Sequence, residues 1–161
     1  MYNALCAVVP HSAEELFVSG LHMWVGIAVL ATNAVAGVWG AVAWLRKRVS
    51  GSFWYLLRAA QATVAVQVAI GFLLLARGET APDGLHIAYG VAPLVITLVS
   101  EGMRLGAAQR ELEGVEDVDA LERSDQIAIA RRVALAEMGV MTIGVLLILT
   151  LALRGYQTGG N

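Results

Sequence analysis

Long apolar runs separated by short polar stretches dominate this chain. A helix needs about 20 consecutive apolar residues to cross the ~30 Å hydrocarbon core of a bilayer. Four segments meet that length, at about 16–45, 53–76, 85–103 and 133–153. The few charges they contain lie close to predicted ends. Arg58 and Glu137 fall near the starts of the second and fourth segments, and Glu101 near the end of the third. The pattern predicts an all-α membrane protein, a single domain over residues 1–161 built as a four-transmembrane-helix bundle.

Composition supports that class. The chain is 161 residues long, 58% hydrophobic and only 15% charged. A soluble domain of this size cannot hide so much apolar surface, whereas lipid solvates it directly. The formal net charge is −2, and no basic stretch carries interleaved aromatics, so nothing points to a nucleic-acid partner. The single cysteine, Cys6, excludes an internal disulfide, a CxxC pair, a Cys-based zinc site and covalent haem attachment through CxxCH. No Walker loop, HExxH, GxSxG or GxGxxG occurs, which argues against a hydrolase or a nucleotide-driven pump. The first 20 residues hold no Lys or Arg, and Glu14 and Glu15 interrupt the apolar run. The first span is therefore expected to be retained as a helix and not removed as a signal peptide.

The flanking charges predict an orientation. Arg46, Lys47, Arg48 and Arg58 surround the first connection, and Arg104, Arg110, Arg123, Arg131 and Arg132 lie in or beside the third. Only Arg77 and Arg154 lie on the opposite side. The positive-inside rule then places both termini outside, with a bacterial plasma membrane as the expected location. Trp44 and Trp54 flank the basic loop, where aromatic belts usually sit. The third connection, about 105–126, is acidic and is expected to be a cytoplasmic linker between helical extensions of the third and fourth spans. Ser124 or Asp125 is the expected cap of the extension that enters the fourth.

The spans are not equivalent. Residues 20–30 (GLHMWVGIAVL) and 84–94 (GLHIAYGVAPL) agree at six of eleven positions, including the histidines His22 and His86. A weaker match relates Arg58 to Arg131 and Ile70-Gly71 to Ile143-Gly144. The chain therefore reads as two tandem helical hairpins. Glycine follows each histidine by four residues, at Gly26 and Gly90, and such positions share a helix face. Each glycine is expected to leave a hollow beside an imidazole. His22, Gly26, Asn33, Gly37 and Gly40 fall on one stripe, as do His86, Gly90, Pro93, Thr97 and Glu101. Small and polar residues face the interior of membrane bundles, so both histidines are expected to point inward. The third histidine, His11, precedes the first span and reads as solvated.

An ionisable side chain inside a span is a functional-site hypothesis by default. Two histidines at matching depth suit the axial positions of one six-coordinate haem iron. The competing readings are interhelical or headgroup hydrogen bonds, or a di-histidine metal site with Asp83 as the nearest further ligand. Gln61 and Gln67 read as interhelical partners, with haem propionates or a quinone carbonyl as alternatives. Glu101 and Glu137 read as an ion-pair cluster with Arg104 and Arg132. Met138 and Met141 read as packing residues, and Trp24 and Tyr89 either stack on a porphyrin or belong to an aromatic belt.

One arrangement resembles a known family. A histidine in one span, then Gln67-Val68-Ala69-Ile70-Gly71, a turn containing Pro82, and His86 opening a third span look like one four-helix half of the haem A synthases. The resemblance covers roughly residues 20–94. It implies axial roles for His22 and His86 and places Gln67 and Gly71 beside the macrocycle. Those enzymes have two such halves, and their catalytic half carries a glutamate about one turn before a histidine, where this chain has Ser19 and Asp83. The resemblance thus implies a half-relative that binds haem b, alone or as a homodimer, and not haem A synthesis. The expected function is that of a b-type cytochrome exchanging electrons with a quinone or a redox partner protein. The alternative is a cofactor-free membrane scaffold or accessory subunit that recruits a partner through its acidic loop.

Overall fold

The computed structural model describes residues 13–159, with side chains over residues 17–158. Four helices account for nearly all of it: α1 (Ala13–Leu45), α2 (Gly51–Ala76), α3 (Gly84–Glu111) and α4 (Arg123–Gly159). All four are long and apolar enough to cross a membrane. The described residues contain no strand.

Local chemistry explains where the helices start and stop. Ser50 caps α2 by accepting the N–H of Phe53 at 3.3 Å. Asp83 caps α3 by accepting the N–H of His86 at 2.6 Å. Each satisfies one of the four donors that a helix start leaves free. Just after α2, Gly78 takes φ +89°, a conformation glycine reaches without steric cost, and the chain turns there. The linker spans 112–122, as the helical-extension reading requires. Ser124 and Asp125 are not the cap of α4, however. That helix begins at Arg123, and the Asp125 N–H donates to the Glu122 carbonyl at 3.0 Å, so both residues lie within the first turn.

The helices are arranged around a ring. α1 packs against α2 and α4, and α3 packs closely against α4 and more loosely against α2. α1 and α3 therefore face each other across the diagonal. Paired residues run in opposite order along each packed pair. Gly26 meets Gln67 where Gly40 meets Phe53, and Tyr89 meets Gly155 where Arg104 meets Glu137. Ala13 and Gly159 consequently lie at the same end as His22 and His86. The opposite end carries most of the arginines.

Little apolar surface is sequestered. The core consists of two small clusters, one around Phe53, Leu57, Met138 and Met141 and one formed by Val29, Val64 and Ile148. Large hydrophobics such as Phe17, Trp24, Val38, Tyr55 and Leu98 point outward. A bundle solvated by lipid gains little from apolar burial and relies on close packing of small residues. The glycines show this directly. A Cβ at Gly40 would stand 2.5 Å from both Phe53 and Thr142, and one at Gly139 would stand 2.7 Å from the Trp44 indole. The glycines of the weaker repeat are not equivalent: Gly71 lies against His22, but Gly144 lies against Ser100, well along α3 from His86.

Overpacking at such a contact costs about 1–3 kcal/mol or more. Gly40→Leu should therefore lower the melting temperature of the protein in detergent or nanodiscs. Gly102→Ala, on a face with nothing within 4 Å, should leave it unchanged or raise it through helix propensity. Equal effects of the two substitutions would contradict this account of the packing.

Candidate functional site

The helix diagonal brings the two histidines together. Their ring centres are 6.2 Å apart and their planes are tilted by 53°. Each imidazole is half-buried. The α2 helix supplies the third wall. Gln67 places its amide nitrogen 3.2 Å from Nε2 of His22. With the amide N–H as donor, Nε2 accepts and the imidazole proton sits on Nδ1; the amide turned by 180° reverses both roles and frees the Nδ1 lone pair. One turn further along α2, Gly71 lies beside the ring, where a Cβ would come 3.4 Å from Cε1 of His22.

The polar atoms of this cluster are incompletely paired. Nδ1 of His22, Nδ1 of His86 and Oε1 of Gln67 are all buried without a hydrogen-bond partner. Unpaired buried groups cost about 1–3 kcal/mol each. Three of them in one cluster of neighbouring side chains mark a place where a ligand can recover that energy. No family model, curated protein or solved structure matches this chain.

Other expected site residues behave unequally. The α1 stripe faces inward as expected: Asn33, Gly37 and Gly40 are buried and Gly26 is half-buried. The hollow beside Gly26 is not open, because the Gln67 amide fills it, 3.2 Å from where a Cβ would stand. On α3 the stripe is broken. Gly90 is exposed and has no neighbour within 4 Å, whereas Pro93 is buried. The helix face one turn beyond His86 is thus open at the bundle surface. Asp83 is committed to capping α3 through the His86 N–H. Among the described residues no group of three His, Cys, Asp or Glu side chains is placed to hold a metal ion. Trp24 is largely exposed, Tyr89 packs on Gly155, and Met138 and Met141 are buried in the core. His11 lies outside the described residues.

The opposite end holds a second polar cluster. Arg58 reaches Glu101 at 2.6 Å, Gln61 donates to the same carboxylate at 2.8 Å, and Arg104 approaches its other oxygen at 3.0 Å. Arg104 also lies 3.5 Å from Glu137 and stacks over the Trp54 ring at 5.5 Å. The expected ion-pair cluster is present and ties α2, α3 and α4 together. Its arginine at position 58 was not among the expected partners of Glu101. Arg132 instead pairs with Glu111, at 3.4 Å.

The unpaired nitrogen of His86 generates a signed expectation. Replacing a buried, unsatisfied polar ring with an apolar ring of similar size is neutral or stabilising. His86→Phe should thus leave the melting temperature of the cofactor-free protein unchanged or higher, as followed by circular dichroism. A clear drop would mean that His86 already has a partner that stabilises the bundle.

Proposed function

We propose that this chain is a membrane b-type cytochrome-like protein that holds one haem b between His22 and His86 and serves electron transfer. The carrying observation is the facing pair of imidazoles on diagonal helices, 6.2 Å between ring centres, with an unpaired Nδ1 on each. Two imidazoles that bind one metal ion from opposite sides, at nitrogen–metal distances of about 2 Å, have ring centres about 6 Å apart. The spacing therefore suits shared axial ligation. The resemblance of residues 20–94 to one half of the haem A synthases supports the same assignment.

When bound, a haem with two protein ligands supplies one-electron chemistry and leaves no iron position open for oxygen. The residues of the chain have complementary tasks. His22 and His86 would hold the haem iron. Gln67 holds the His22 ring in place; with its side-chain oxygen turned toward Nε2 it would accept the imidazole N–H and leave the Nδ1 lone pair for iron, the role that outer-shell partners play at metal sites. Gly71 and Gly90 keep the flanks of the imidazoles free of side chains. The lipid-facing helices exclude bulk water from the bundle. The charge pattern supports an orientation with the histidine end on the outer face of a bacterial plasma membrane and the basic end inside. Electron exchange would then occur at the outer side, with a quinone or a redox protein.

The visible spectrum of protein purified from haem-replete cells tests this reading. A Soret band that shifts on reduction, with sharp α and β bands, is expected. His22→Ala and His86→Ala should each abolish it, and Gly71→Leu should weaken it strongly by crowding His22. A folded, haem-replete sample without a Soret band would sink the proposal. It would favour the cofactor-free scaffold, with the exposed Glu113, Glu116, Asp117 and Asp119 as the recruiting surface.

A further inference from the structure

The turn between α1 and α2 gathers charge that the bundle leaves unpaired. Arg46, Lys47 and Arg48 are consecutive and exposed. Lys47 ends α1 in the left-handed region, at φ +51°, where glycine is the usual residue. The Arg48 N–H returns to the Ala43 carbonyl at 2.9 Å, so the turn is closed by its own hydrogen bonds. From α4, the exposed Arg131 guanidinium donates to the Lys47 carbonyl at 2.9 Å, which brings a fourth cation to the turn. Among the described residues the ion pairs use Arg58, Arg104 and Arg132, and none of these four cations has a carboxylate partner. The first turn of α2, which follows directly, holds no acidic residue either.

An apolar recess adjoins this turn. It is shallow, about 350 Å³ in volume, and is lined by Trp39 of α1 and by Ser52, Tyr55 and Leu56 of α2. The Trp39 Nε1–H donates to the Ser50 hydroxyl at 2.9 Å, which anchors the indole to the end of the basic turn. Arg46 follows Trp39 by seven residues, two helical turns, on the same side of α1. Trp39 is 51% exposed and Tyr55 82%, so the recess opens outward, toward the surroundings of the bundle. A cationic turn and an apolar recess thus lie side by side at the end of two membrane-length helices. That is the level at which a bilayer passes from acyl chains to phosphates.

We propose that this corner binds one anionic phospholipid, with its phosphate at the basic turn and an acyl chain along the recess of Trp39, Tyr55 and Leu56. Basic pockets beside transmembrane helices take such headgroups. Charge decides between lipid classes. A zwitterionic lipid would bring its own ammonium among four unpaired cations, whereas a lipid of the phosphatidylglycerol type brings a net negative charge and no competing cation. The site lies at the opposite end of the bundle from the histidines and does not depend on the haem proposal.

Native mass spectrometry of the full chain, delipidated in a neutral detergent, tests the site. Phosphatidylglycerol should add as a single adduct, about tenfold or more tighter than phosphatidylcholine with the same chains. Each cation near a membrane surface contributes about fivefold, so Arg46→Gln combined with Arg48→Gln should remove most of that preference. Arg110→Gln combined with Arg123→Gln removes the same charge from the flanks of the acidic linker and should leave the preference unchanged. Tyr55→Ala should weaken both lipids alike. Equal affinity for the two lipids in the unmutated protein would overturn the proposal, and that comparison does not depend on any variant folding. Equal losses in the two double variants would mean diffuse attraction to net charge and would also overturn it. Glycerol phosphate, which carries the headgroup charge without chains, should not displace the lipid at equal concentration. Displacement would show that the recess contributes nothing and that the turn takes a soluble anion, which the proposal does not survive.

Discussion

A bundle four helices wide has very little interior, and every polar side chain in an apolar span must find its partner there. Unmet hydrogen-bonding groups are expensive in lipid, so the few polar residues are concentrated where helices meet. His22 meets Gln67, Thr32 meets Thr63 at 3.0 Å, and Gln61 and Arg58 meet Glu101. The rest of the architecture follows from keeping these meetings possible. Glycines at 37, 40, 139 and 144 let the backbones approach closely enough for short polar side chains to reach across. The caps at Ser50 and Asp83 set where α2 and α3 begin.

The positions where pairing is incomplete are therefore informative. Unpaired buried atoms fall in three places: around the imidazoles, at Oδ1 of Asn33 and at the Thr142 hydroxyl. They differ in chemistry and in size. The first is a cluster of two imidazoles and an amide contributed by three helices, with the uncovered Gly90 one turn beyond His86. The second is a lone carbonyl oxygen beside a small void whose surface is almost wholly apolar. The third is a hydroxyl packed where α1 and α4 meet at Gly40.

Much of this was legible in the amino-acid sequence, because length and hydropathy decide whether a helix can cross a bilayer. The four helices, the helical extensions around the acidic linker and the inward stripe of α1 all follow from that pattern. The facing histidines followed from the repeated GLHxxxGxAxL motif, since parallel spans place equivalent residues at equal depth. Other features escaped for identifiable reasons. Gly90 sits on the expected face of α3 by helical spacing, yet no neighbouring helix closes over it, and a repeat cannot report how tightly neighbours pack. The apolar match between the second and fourth spans suggested equivalent glycines, but Gly71 and Gly144 face different partners. The small void at Asn33 is lined by residues of all four helices and has no local signature. Asn33 and Thr97 were nonetheless visible as polar residues in apolar spans, and that was the available signal.

The apolar layer formed by Val29, Val64 and Ile148, with Leu94 and Ile96 packed against it, separates the two polar zones of the bundle. Electrically it is a low-dielectric gap. Charges interact more strongly across such a gap than across water, so a rearrangement among Arg58, Glu101, Arg104 and Glu137 at the basic end is transmitted toward the imidazoles as a change of field and is not screened from them.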